Sequence, residues 1–317
     1  MGENPREKPS EVVELKRHSF LVDLFIRLVK EKPLGMAGGV TVIMIFLAGA
    51  FADFLAPYDF NEITLSDRLV GPSAKYILGT DNLGRDLLSR VIYGARISMI
   101  VGLGSAALEV LTATFVGTVS GYFGGKTDLT IQRFVDAWAC FPSLFIYMTI
   151  MAVLGPGLIQ VIMVLGIHGG IRSSRVMRSA VIVIKENAYI EAARAIGAPN
   201  RRIVSRHIMP NVMAPFIIIF TINIGSNILA EATLSFLGFG IPPPTPSWGG
   251  MLSGSGRTYM LQAPWMALWP GLSLAIVVYG INMLGDAMRD LLDPRLRGGL
   301  SRYSKAKRKI SKESAQT

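Results

Sequence analysis

Six apolar, charge-poor segments partition this chain, at about 34–56, 97–121, 137–154, 157–175, 212–231 and 263–285. A helix needs about 20 residues to cross roughly 30 Å of hydrocarbon, and five of the six reach or nearly reach that length. The fourth is short as a purely apolar run, ending at Ile171, and is expected to continue past Arg172. Gly155-Pro156-Gly157 before it forces a tight hairpin with the third. Half of the 317 residues are hydrophobic, which places the chain in the membrane class. The fold class that follows is an all-α integral membrane protein with six transmembrane helices.

The charge distribution orients those spans. With the amino terminus inside, the inner segments 1–33, 122–137, 172–210 and 289–317 hold 26 of the 32 Lys and Arg, and the outer segments 57–96 and 232–266 hold six. This is the positive-inside asymmetry. The net charge of +10 therefore reports topology and contact with the lipid bilayer, and nucleic acid is not an expected partner. Three regions result: a cytoplasmic segment 1–33, a membrane domain 34–297, and a basic cytoplasmic tail 298–317. In the first, Phe20, Leu21, Leu24, Phe25, Leu28 and Val29 recur at helical spacing opposite Asp23, Arg27 and Lys30, as in a helix lying in the interface. Ala48-Gly49-Ala50 has the small residues of a cleavage site, but the preceding 33 residues are too long and too mixed in charge for a signal peptide.

Between the fourth and fifth spans lies a soluble-looking hairpin, 185–210, containing EAARAIGAPNRRIVSRHIMPN from Glu191 to Asn211. Lys185 to Ile196 has good helix formers, with Ala188, Ala192, Ala193 and Ile196 on one small apolar face. Gly197 sits where a helix ends in a left-handed residue, and Pro199 suits the first turn of the next helix. Arg201, Arg202 and Arg206 follow before Pro210, which is expected to stop that helix. Glu191 either faces outward or pairs with Arg194 within its own helix. A charged hairpin held between two membrane spans is a docking surface, and paired alanines allow close approach in a partner's groove.

Catalytic chemistry is sparse. The histidines, His18, His168 and His207, fall in three separate segments, and no HExxH or CxxC pattern occurs. Cys140, the only cysteine, is expected inside a span, which excludes an intrachain disulfide and a Cys-rich metal site. Ser120 to Thr127, SGYFGGKT, nearly matches a phosphate loop, but Ser120 stands at the first glycine position and a membrane span precedes it. Gly124 and Gly125 are expected to make an interfacial turn, with Thr127 or Asp128 capping the next helix. Gly102-Leu103-Gly104 fits a helix-packing surface inside a span. Glu109, midway along the second span, is the one candidate for an intramembrane polar site. It would serve a gradient-driven secondary transporter as an ion site; the structural alternative is a carboxylate hydrogen-bonded within the bundle.

The hairpin's spacing, Glu191-Ala192-Ala193, then Gly197, then Pro210, resembles the EAA loop of the membrane subunits of ATP-binding-cassette importers. His207 and Met209 depart from it, where the broad pattern prefers Ile and Leu. Four further passages resemble the C permease of the dipeptide, oligopeptide and nickel group: LGTDNLGRDLLSRVIYGARISMIVG from Leu78, GTVSGYFGGKTDLTIQRFVDAWACFPSL from Gly117, FLGFGIPPPTPSWGGML from Phe236 and INMLGDAMRDLLDPRLR from Ile281. Alone, Leu78 to Gly102 reads as an amphipathic helix on the outer interface. The Pro- and Gly-rich passage is too irregular to face lipid.

The resemblance implies a type I importer fold, in a multi-pass protein of a prokaryotic inner membrane with both termini cytoplasmic. It also implies a heterodimer with a homologous second permease, two separate ATPase subunits and an external solute-binding protein. In that setting Glu191, Ala192, Ala193, Gly197, Arg201 and Pro210 would form the ATPase-coupling loop. This chain would bind no cofactor or metal itself, and ATP and Mg would sit on the partner ATPases. It would not be an enzyme by itself. Peptide is the solute the resemblance favours, ahead of nickel, glutathione or an oligosaccharide.

Overall fold

The computed structural model describes residues 20–292, and the chain is helical throughout these residues except for its turns and two long loops. Helix α1, Phe20–Glu31, leads through Lys32 into α2, Pro33–Ala50, and a short turn α3, Ala52–Leu55, completes the first apolar segment. The α1 residue Leu28 packs on Ala287 and Leu291. An irregular stretch follows, and then α4, Leu87–Phe123. At 37 residues this helix is about 55 Å long, well beyond the thickness of the hydrocarbon. The interfacial helix expected before the second span is thus the first turns of the span itself. No proline interrupts it, and Asp86 caps it by accepting from the amide of Ser89 at 2.7 Å.

The third span departs further from expectation. In place of one helix over 137–154 there are two, α5 at Gly125–Ala139 and α6 at Ser143–Leu154, meeting at 88°. The break falls at Cys140-Phe141-Pro142, because a residue preceding proline is driven out of the helical region. Cys140 therefore lies at the bend between the two helices and is exposed in this chain. After the Gly155-Pro156-Gly157 turn, α7 runs from Leu158 to Lys185, well past Arg172. Then come α8, Ala188–Ala195, and α9, Asn200–Ile203, a π-helical turn Val204–Ile208, and α10, Met209–Asn211. The fifth and sixth apolar segments form α11, Met213–Phe236, and α14, Trp265–Leu292; between them lie the short helices α12, Trp248–Leu252, and α13, Gly254–Thr258.

Among the described residues four helices, α2, α4, α11 and α14, are long and apolar enough to cross a membrane, or five spans if the bent pair α5 and α6 counts as one. Helix α7 has the length, but Arg172, Arg175 and Arg178 make it too polar to join them.

The long helix α4 is the axis of the bundle, flanked by α7 and α11, with α14 and α2 completing one side. Helix α7 lies close along α4 because it presents glycines at the contact: a Cβ on Gly166 would collide with Leu108, and one on Gly170 with Thr112. The Gly102 and Gly104 surface also packs helices, against Ile228 of α11 and Ile162 of α7. At the end of α4 where Leu87 lies, Trp248 is fully buried and its indole N–H donates to the Val91 carbonyl at 3.0 Å, pinning the Pro- and Gly-rich turn to α4. The α8 to α10 hairpin sits at the opposite end, beside Tyr122. Lys32, at the link between α1 and α2, forms an ion pair with Asp290 of α14.

Candidate functional sites

The hairpin begins where α7 ends. Glu186 and Asn187 interrupt the helix that the sequence allowed to run unbroken to Ile196, and Asn187 turns extended before α8. Helix α8 closes in the glycine motif anticipated for it: Gly197 adopts φ +81°, its amide donates to Arg194, and the next amide, Ala198, reaches back to Ala193 at 3.0 Å. No atom lies within 4 Å of the position a Gly197 Cβ would take, so only the backbone angle demands glycine there.

The inner face of the hairpin is apolar. Ile190, Ala193, Ile203 and Ile208 are buried against Tyr122, Met177 and Val181. Ala193 thus belongs to the chain's own core, and of the alanine pair only Ala192 faces outward. Glu191, Gly197, Arg201 and Pro210 are exposed as well. Among the described residues the Glu191 side chain has no hydrogen-bond or ion-pair partner. Arg194, the partner the sequence offered it, instead lies 5.7 Å from the centre of the Tyr122 ring. Pro210 does not end the helical path, which continues to Asn211. The wider π turn over Val204–Ile208 precedes the proline, whose ring would crowd a regular turn, and the path bends at Val212.

Three polar contacts anchor this end of the bundle. Tyr122 donates to Asn200 Oδ1 at 2.7 Å, and Lys185 Nζ donates to the Tyr122 carbonyl at 2.6 Å. Arg178 grips Asp128 with two bonds of 2.6 and 2.5 Å. That guanidinium, with the Ser120 hydroxyl, holds the Asp128 carboxyl below the usual carboxylate range. Asp128 is therefore engaged with α7 and caps nothing; Gly124, at φ +66°, stands at the N-cap of α5 with no side-chain cap. The SGYFGGKT passage lies across the α4–α5 turn, a helix–turn–helix setting rather than the strand and loop of a phosphate site.

A second polar site lies inside the bundle. Glu109, midway along α4, is buried, and three side chains from two other helices donate to it: Ser173 at 2.8 Å and Asn223 at 2.5 Å to Oε1, and Asn227 at 3.1 Å to Oε2. Gly169 makes room for this carboxylate, since a Cβ there would lie 2.6 Å from its carbon. An open cavity of about 360 Å³ adjoins it, lined also by Tyr147, His168, Arg172 and Ser226. Sequence reasoning singled out Glu109 and missed its donors. Asn223 and Asn227, four apart in a span-length segment, were the available signal, because they share one helix face.

The match to known proteins is extensive. The model of a family described as "Binding-protein-dependent transport system inner membrane component" matches residues 113–298, and that of the "N-terminal TM domain of oligopeptide transport permease C" matches residues 19–72. Among curated proteins, the chain is 40% identical to a dipeptide transport system permease protein of Alkalihalophilus pseudofirmus, over 84% of this chain and 88% of the relative. It is 39% identical to a di/tripeptide transport system permease protein of Pseudomonas aeruginosa, over 83% and 89%. Identity to a glutathione transport system permease protein of Escherichia coli O6:K15:H31 is 38%, over 86% and 90%.

Proposed function

The chain belongs to the inner-membrane components of binding-protein-dependent transport systems, on the dipeptide and oligopeptide C-permease branch of the ATP-binding-cassette importers, and we propose that it forms half of the translocation path of a peptide importer. A homologous permease supplies the other half, two ATPase subunits supply the energy, and an external solute-binding protein delivers the solute. In this reading the α5–α6 pair and α7 each complete a span, giving six in the type I importer arrangement with both termini cytoplasmic. Di- and oligopeptides are the favoured solutes because peptide permeases, with a glutathione permease, make up the similar proteins cited above.

The observation that carries the proposal is the hairpin's two-sidedness. Its inner face is locked into the chain's core, while its outer face presents Glu191, Ala192 and Arg201 with no side-chain partner among the described residues. Closing of the ATPases on ATP would push on that outer face, and the buried Ile190, Ala193, Ile203 and Ile208 would pass the displacement to α4 and α7. The cavity between the permeases would then turn outward to accept solute, and hydrolysis would reset it. No bond in the solute is made or broken, so the chain acts as a transport subunit and not as an enzyme.

Uptake into vesicles carrying the assembled complex tests this. ATP without an ion gradient should drive uptake of a labelled di- or tripeptide in the presence of the binding protein. An ion gradient with ATP depleted should not. The reverse pattern would assign the chain to the gradient-driven class, with Glu109 as its coupling site. The geometry speaks against that role, because both Glu109 oxygens already accept from neutral donors within the bundle.

A further inference from the structure

The cavity beside Glu109 also contains a cation, Arg172, whose guanidinium makes no ion pair among the described residues. Arg172 lies in α7 one residue from Ser173, which donates to Glu109, so it shares the layer of the bundle that Glu109 occupies midway along α4. Its guanidinium has five N–H donors, and the one hydrogen bond it makes among the described residues, from Nη1 at 2.6 Å, goes to the hydroxyl of Ser143. Among the described residues no carboxylate pairs with Arg172. Around it, His168 Nε2 shares the same Ser143 hydroxyl at 3.1 Å, and the Glu109 carboxylate, the one acidic group lining the cavity, lies beyond ion-pair distance and is held by Ser173, Asn223 and Asn227. Ser226 of α11 is exposed at the same cavity.

An arginine with most of its donors unused does not face hydrocarbon at this depth, where an unpaired charge costs on the order of 3 kcal/mol even by the lowest scales. The mouth of the cavity must therefore meet water or an anionic group. We propose that Arg172 is a contact for a carboxylate of the solute as it passes through the membrane, with the Asn223 and Ser226 side of α11 forming the wall opposite. The proposal rests on the permease reading above and adds the chemical class of group that the path recognises. A di- or tripeptide always carries such a carboxylate. Planar carboxylate and forked guanidinium match in geometry, so the contact orients the solute as well as attracting it.

The test uses the complete importer with Cys140→Ser and Ser226→Cys, labelled by two thiosulfonate reagents of similar size, one bearing a sulfonate and one a trimethylammonium group. Relative to their rates with a free thiol, the anionic reagent should be favoured at position 226. Arg172→Gln should lower that preference at least threefold, and Arg172→Lys should restore much of it. In the Cys140→Ser background alone, Arg172→Gln should raise the KM for trialanine about tenfold with a smaller change in maximal rate, and saturating trialanine should protect the thiol introduced by Ser226→Cys from labelling. No labelling by either reagent, a preference equal to that of a free thiol, or a preference for the cation would overturn the proposal, since the mouth would then be dry or neutralised by the second permease. ATP-driven uptake by the parent complex is recorded in the same vesicles. Its absence would refute the permease reading, whereas normal uptake with an unaltered Arg172→Gln variant would refute only the carboxylate site.

Discussion

At the scale of single residues, Glu109 and Gly197 show two ways in which one side chain, or its absence, is fixed by surroundings. Glu109 is held by three donors and by the gap that Gly169 leaves, so its shape and acceptor capacity matter. Glu109→Gln keeps the shape and replaces one acceptor with a donor, which Asn227 can meet by turning its amide. We expect this variant to assemble, to transport at a substantial fraction of the parent rate, and to lose about 1–3 kcal/mol of stability, seen as a lower unfolding temperature. Loss of transport with assembly intact and an altered pH dependence would point instead to proton coupling. The sequence exposed Glu109 because a charge in an apolar run is conspicuous. It hid Arg172 at the edge of a segment whose end was uncertain, and it hid the inward turn of Ala193, because both members of an adjacent alanine pair look alike until the helix phase is known.

Among elements, the joint between α5 and α7 depends on Asp128 and Arg178. The Asp128 carboxyl is depressed in the folded chain, so the contribution of the pair is complete above the unfolded carboxylate range near pH 4 and is lost only as pH falls through the lower folded value. Between pH 7 and 5 the joint should therefore hold steady. Asp128→Ala should loosen it by about 1 kcal/mol, since Arg178 remains partly exposed. Hydrogen exchange of the α5 amides, expressed as protection relative to the intrinsic rate at each pH, checks both statements: lower protection in the variant, and unchanged protection in the parent across that pH interval. Protection in the parent that falls between pH 7 and 5 would contradict the assignment. Hydropathy located the apolar elements well, but it could not say where a helix continues. Leu87 to Ile92 looked amphipathic and hence separate, although nothing in it breaks a helix. The Phe141-Pro142 step, whose local chemistry does break one, lay inside a run apolar enough to pass for a span.

For the whole molecule, coupling to ATPases requires the α8–α9 hairpin on the cytoplasmic face and the Pro- and Gly-rich turn on the other. In a Cys140→Ser background, single cysteines placed within 57–76 and 242–258 should react with an impermeant reagent added outside intact cells, and those within 185–205 should not. The opposite pattern would invert the topology and remove the docking surface from the ATPases. The most direct measurement is solute-stimulated ATP hydrolysis by the reconstituted complex carrying Gly197→Val or Gly197→Asn. At φ +81° a β-branched residue is strongly disfavoured, whereas asparagine is tolerated, and no neighbouring atom obstructs either side chain. Gly197→Val should insert normally and lose both ATPase association and stimulated hydrolysis, while Gly197→Asn should keep most of each. A Gly197→Val complex that associates and hydrolyses like the parent would show that this hairpin does not couple ATP to transport.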